Sequence, residues 1–252
     1  IYAVNPDSGE TRTLEPGIPW RLPPGWKSAK LFGLAPMAWE ANPVSVFDRY
    51  PDYTDPELTQ RFLDVTHRWY QRRFGQYFGH PIRGIFSDNT CGNFAVVRRS
   101  IPWGRDFAAR FQADTEEAVD AHLPRLLDAT LPDSARSRLL YWKFFEHAYL
   151  DNYFTPILEE CQKTGIHSTG HLACEDGLGE HVRQIGDYFA VMRHFSYCAV
   201  DDLGPLRVGE SLIRRSDDCG WLPQKLTASC ARFLGRDEVM CECMGLAGEC
   251  WK

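Results

Sequence analysis

Four acidic residues, Asp88, Glu175, Asp201 and Glu242, each follow a short apolar or β-prone run and precede turn-like residues. A lone carboxylate in such a place often does no more than cap the next helix. If the runs are parallel strands, however, all four point at one mouth, because the C-terminal ends of such strands share a side of the sheet. Two carboxyl groups there can divide the hydrolysis of a glycosidic bond, one donating a proton and the other activating water or attacking carbon. Glu175 and Glu242 are the candidate catalytic pair, and an inverting mechanism would set them roughly 6.5–9.5 Å apart. Asp88 and Asp201 are better suited to accept hydrogen bonds from sugar hydroxyls. His171, within the run GIHSTGHLACE, either binds a hydroxyl, orients Glu175, or is a structural histidine satisfied by a backbone carbonyl.

Aromatic residues extend the same reading. The loop MAWEANPVSVFDRYPDY brings Trp39 close to Glu40, Asp48 and Asp52, and Trp103 lies in a second irregular stretch. Trp beside carboxylates makes a wall for a sugar ring, so Trp39 and Trp103 join the substrate-binding candidates. No metal or cofactor is assigned. Calcium could use Asp88 and Asp201 as hard oxygen ligands, but no compact calcium-loop spacing supports it. His167 and His171 with Asp88 form a weaker metal set, because H-x3-H on a strand keeps both rings on one face yet far apart. The nine cysteines cannot all pair internally. Cys230, Cys241, Cys243 and Cys250 lack the C-x2-C knuckles of structural zinc sites. Cys174, Cys241 and Cys243 are expected to be reduced, since two cysteines on one strand face do not bridge comfortably.

The elements that position these groups follow from pattern. With 252 residues, 44% of them apolar and 13% aromatic, the chain can bury a full core. Its formal charge of -6 and scattered basic residues leave no footprint for nucleic acid. No run of eighteen apolar residues offers a membrane span. The N-terminus lacks both signal-peptide character and an initiator Met, which reads as a removed leader or a piece of something longer. Residues 1–29 are a Pro- and Gly-rich lead-in or insertion of extended segments and turns. Asp55-Pro56 caps a helix. A helix start is read at T-E-E near Asp114, and another at Asp133-Ser134, running to Thr164 with Pro156 expected to kink or divide it. A further helix is read from about Gly177 to His194. Strands are read at 31–36, 82–88, 166–172, 197–201 and 238–243. Helix and strand alternating with short connections is the pattern of an α/β fold with a parallel sheet. One domain over 1–252 is expected.

YTDPELTQRFLDVTHRWYQRRFGQYFG leading into IRGIFSD, then TGHLACE, AVDDLG and KLTASCARFLGRDEVMCE, occur in an order that resembles the large bacterial glycoside hydrolases typified by α-L-rhamnosidases of family 106. The resemblance covers residues from about 20 to the end. It implies a (β/α)8 TIM-barrel-like fold, or an incomplete one given five readable strands, and a carbohydrate substrate. Members commonly continue the Asp of the IRGIFSD-like strand with Glu and Pro, where this chain has Asn89 and Thr90. The alternatives to a hydrolase are a catalytically silent carbohydrate-binding barrel and a fragment of a larger glycosidase.

Overall fold

The computed structural model describes residues 1–34, 51–90, 101–172, 185–202 and 222–243. They fall into two compact units, one of Ile1–Pro51 with Trp103–Phe145 and one of Asp52–Pro102 with Glu146–Lys252.

In the first unit a hairpin opens the chain. Strand β1 (Tyr2–Val4) pairs antiparallel with β2 (Thr11–Thr13) and, on its other side, with β3 (Lys30–Phe32). The turn between β1 and β2 is set by Asn5, whose side-chain oxygen accepts the N–H groups of Asp7 and Ser8 at 2.9 and 3.3 Å. Of the LFGLAP run, read as a buried strand, the described residues contribute to β3, an outer strand whose Leu31 is 62% exposed. Lys30 ties that edge down through an ion pair of 2.7 Å to Asp128, which holds the Asp128 carboxyl down to about 2. Helix α3 (Phe107–Thr115) ends where T-E-E was expected to begin a helix, with Glu116 in the left-handed conformation at φ 61°. Phe107 and Phe111, one turn apart, explain the shift: burying both fixes the helix upstream. Their rings pack on Tyr141 and Phe144 of α5 (Ser134–Tyr149) at centroid distances of 5.0–6.3 Å. Between them lies the short α4 (Leu123–Leu127), with Pro124 in its first turn.

In the second unit Asp55 caps α1 (Pro56–Val65) by accepting the Glu57 N–H at 2.9 Å, with Pro56 at the first helical position. Helix α2 (His67–Phe74) follows. Strand β4 (Gly84–Thr90) pairs in parallel with β5 (His167–Leu172), and β6 (Cys198–Asp202) in parallel with β7 (Val239–Cys243). Hydrogen bonds link the region of β5 to the start of β6: the Ser196 N–H donates to the Ser168 carbonyl at 2.6 Å, and the Thr169 hydroxyl to the Tyr197 carbonyl at 3.3 Å. The long helical region before β5 is divided, as Pro156 requires. After α5 comes one π turn, Leu150–Phe154, and then α6 (Thr155–Thr164), which Gly165 ends with φ 72°. Of the helix read from Gly177, the described part is α7 (Tyr188–Met192), capped by Asp187. Helix α8 (Leu222–Phe233) connects towards β7. Tyr149, Phe154, Ile157, Leu172, Val191, Phe195, Cys198 and Cys230 form one buried core. Within it the Cys198 thiol is held below its ordinary value by a hydrogen bond from Cys230 and by Arg236, 3.4 Å away.

The closed (β/α)8 barrel is not what forms. Among the described residues the strands make one antiparallel sheet of three and two parallel pairs, β4 with β5 and β6 with β7. Local helix–strand alternation encodes parallel pairs with helical crossovers. It does not encode closure, which needs a continuous ring of strands with a common shear.

Candidate functional site

Strand alternation decides which side chains meet. On β5, His167, Thr169 and His171 face one way, while Leu172 belongs to the core. In register, Phe86 of β4 lies beside Thr169, and Asp201 of β6 beside Glu242 of β7. The Thr169 hydroxyl lies 3.8 Å from the Met240 sulfur, and Met240 and Glu242 alternate onto the same face of β7. Phe86 places its ring 5.7 Å from the His171 imidazole. The face therefore mixes polar Thr169 with Phe86 and Met240 along its length and is acidic at its C-terminal edge.

A bulge aims the first acid. Ser87 pairs with Gly170 and Thr90 with Leu172, so Asp88 and Asn89 together stand opposite His171. Asn89 adopts φ 49°, a left-handed conformation that Asn tolerates better than most residues. Gly170 has a reason as well: a Cβ there would come within 2.2 Å of the Ser87 carbonyl oxygen. The two strands touch at that point, and the chain beyond it brings Asp88 onto His171. The His171 Nε2–H donates to Asp88 Oδ1 at 2.8 Å, and Glu242 Oε2 lies 3.3 Å from the same nitrogen. The imidazole is 1% exposed, whereas the side chains of Asp88 and Glu242 are 68% and 43% exposed. One buried donor thus holds two solvent-facing carboxylates.

The ligand atoms of Asp88, His171 and Glu242 all lie within 4.8 Å of one another, a spacing able to hold a metal ion. The same atoms can also share a proton on His171 Nε2. A histidine bound to metal nearly always donates its other ring N–H to an acceptor. Buried Nδ1 of His171 has no hydrogen-bond partner among the described residues. A proton on Nε2 serves both carboxylates as donor. His167, the other imidazole of the H-x3-H set, is not part of the cluster; its ring packs on Tyr197 at 4.9 Å.

Of the residues singled out in the sequence, Asp88, His171 and Glu242 come together, and Asp201 is the strand neighbour of Glu242. Glu175 and Trp39 lie outside the described residues, as do Cys174 and Cys250. Trp103 belongs to the first unit, where it stacks on Phe107 at 5.0 Å. Cys241 and Cys230 make no disulfide, and Cys230 is buried against Cys198. The sequence reading missed a cavity of about 580 Å³ that runs from Asp88 along β4 to α1 and α2. Its aromatic walls are spread from Tyr53 to Tyr153, and no local spacing announces it.

No protein-family model matches the chain, and no curated protein does. In fold it is similar to a rhamnosidase from Novosphingobium sp. PP1Y. The likeness has a TM-score of 0.51 at 19% sequence identity and covers 76% of this chain. This chain spans about 17% of the length of that one. At that identity the likeness speaks for the fold alone. No described helix is long and apolar enough to cross a membrane.

Proposed function

We propose that the chain carries glycoside hydrolase chemistry on a carbohydrate, with an α-L-rhamnoside as the first sugar to test. The observation that carries the reading is the meeting of Asp88 and Glu242 on the one Nε2–H of His171, at the C-terminal ends of parallel strands. The likeness in fold to part of a rhamnosidase supports it. Glu242, on the open side of the cluster, is the group to exchange a proton with the glycosidic oxygen or with water. Asp88 accepts sugar hydroxyls. Oxygens of Asp88 and Glu242 held within 4.8 Å leave no room for the water that an inverting pair keeps between its carboxyl groups. The partner of Glu242 in catalysis is therefore a different acid, and Glu175 remains the proposed one. Asp201, beside Glu242, completes the hydroxyl-binding rim.

Release of 4-nitrophenol from its α-L-rhamnoside by the wild type, lost in Glu242→Gln, is the expected result. Sugar binding without any turnover across a panel of glycosides would replace this reading with that of a silent carbohydrate binder. That second reading has one observation of its own. Asn89, where members of the resembling family carry Glu, serves the backbone of the bulge rather than the chemistry.

A further inference from the structure

Two thiols in the core of the second unit are set against each other. Cys198 opens β6, Cys230 lies in the last turns of α8, and both are fully buried. Cys230 donates its S–H to Cys198 Sγ. The Arg236 Nη1–H donates to the same sulfur at 3.4 Å. The end of α8 explains how that cation comes to be there. Gly235, at φ 69°, turns the chain back, so that its N–H donates to the Arg232 carbonyl at 3.1 Å and the Arg236 N–H to the Ala231 carbonyl at 2.9 Å. The guanidinium is then clamped on the end of α7, donating to the Met192 and Arg193 carbonyls at 2.8 and 3.0 Å. One sulfur thus meets a fixed positive charge and a second thiol, and both donate to it.

A cysteine that only fills space needs none of this. Cys161, buried in the same core beside Glu160, shows the ordinary outcome: burial pushes its thiol up to about 12. Cys198 is moved the other way, below its ordinary value, first by the hydrogen bond from Cys230 and also by Arg236. Cys230 is raised, because its proton is held between the two sulfurs. The thiolate is the nucleophilic form, so Cys198 is the attacking sulfur and Cys230 keeps its proton in reserve. A thiol already in hydrogen-bond contact is also in place to resolve an oxidised neighbour.

We propose that Cys198 and Cys230 are a peroxide-sensitive dithiol that closes to a disulfide joining β6 to α8, independently of the hydrolase reading. The Cys198 thiolate attacks one oxygen of a hydroperoxide and the O–O bond breaks. The departing oxygen takes up the proton that the thiol gave up, and Cys198 is left as a sulfenic acid. The Cys230 sulfur then attacks the Cys198 sulfur, the S–S bond forms, the S–O bond breaks, and the hydroxyl leaves with the Cys230 proton as water. Two thiols and one hydrogen peroxide give one disulfide and two waters. The test treats the full chain with a modest excess of hydrogen peroxide, alkylates it, and maps its peptides unreduced by mass spectrometry. The Cys198 and Cys230 peptides are expected to be joined, and dithiothreitol should separate them again. The oxidised chain should also show a higher urea midpoint than the reduced one, because the cross-link restricts the unfolded state. In Cys230→Ala the reaction should stop at a sulfenic acid on Cys198, trapped by dimedone, and adding Arg236→Gln should slow the trapping by about tenfold. Circular dichroism checks that these variants fold; where one does not, the wild-type map decides. A bridge that forms only in urea overturns the proposal, as does Cys198 joined to a different cysteine. Oxidation of exposed Cys241 that leaves Cys198 and Cys230 as thiols overturns it equally.

Discussion

His171 has one proton on Nε2 and two carboxylates within reach of it, and this asymmetry sets what each substitution does. Glu242→Gln keeps the shape and can still accept from His171, but it cannot carry a proton to or from substrate. We expect turnover to fall by about 10²–10⁴-fold with sugar affinity largely kept, measured as kcat against the dissociation constant of the free sugar. Loss of binding together with loss of rate would move the proton-transfer role elsewhere. Two other imidazoles report on pH. Burial is the largest cause that lowers the pKa of both His67 and His122 below the ordinary 6.5. The unfolded chain then binds more protons than the folded one as pH falls past 6.5. Stability is therefore full above that value and declines below it. Urea denaturation midpoints should drop between pH 7.5 and 5.5, before the carboxylates titrate, and the double variant His67→Gln with His122→Gln should flatten that drop.

At the scale of the element, the β4–β5 pair is the part that carries the geometry. Gly170→Ala drives a Cβ into the Ser87 carbonyl and should cost about 3 kcal/mol or more, read from denaturant midpoints. Asn89→Val, which puts a β-branched residue at φ 49°, should cost about 1–2 kcal/mol, whereas Asn89→Gly should be close to neutral. Equal stability of the Val and Gly variants would mean that the left-handed turn is not what Asn89 is there for. These elements were legible in part. The Asp55-Pro56 cap, the dividing effect of Pro156 and the residues of β5 to β7 all follow from local signals that each element carries within itself. The bulge was not legible, because an extra residue in one strand shows only against its partner, and Asp88 and His171 are 83 residues apart. The T-E-E start failed for the same reason: the burial of Phe107 and Phe111 against α5 outweighed a good capping pattern.

Over the whole molecule, each unit has its own core, so substitutions in one are expected to act through that core's packing. Phe111, fully buried among Tyr141, Phe144 and His122, should cost about 3–5 kcal/mol as Phe111→Ala. A cost near 1 kcal/mol would show that this aromatic cluster is looser than its ring distances imply. The barrel expectation failed at this scale and no other. A parallel pair with its crossover is a property of two strands and the chain between them, and a ring of strands is a property of the whole chain. The cluster does not depend on closure, since two parallel pairs, set side by side through Ser168 and Thr169, already bring Asp88, His171 and Glu242 to one edge.

The π turn at Leu150–Phe154 has a bearing on how chains of this kind are to be compared. Across it the Thr155 N–H reaches back five residues to the Leu150 carbonyl, one more than an α-helix spans. A single supernumerary residue is thereby stored in the helix without breaking it. One residue is worth about 100° of rotation, so the stripe that begins before Tyr149 and the stripe that continues through Ile157 are two phases, each buried in its own right. A related chain one residue shorter at this point would lose the widened turn and keep both stripes only by rotating α6 about its axis. In an alignment, a one-residue gap placed between 150 and 154 would mark where a helix had been rewound, and the same gap a turn earlier or later would turn buried aromatics out into water.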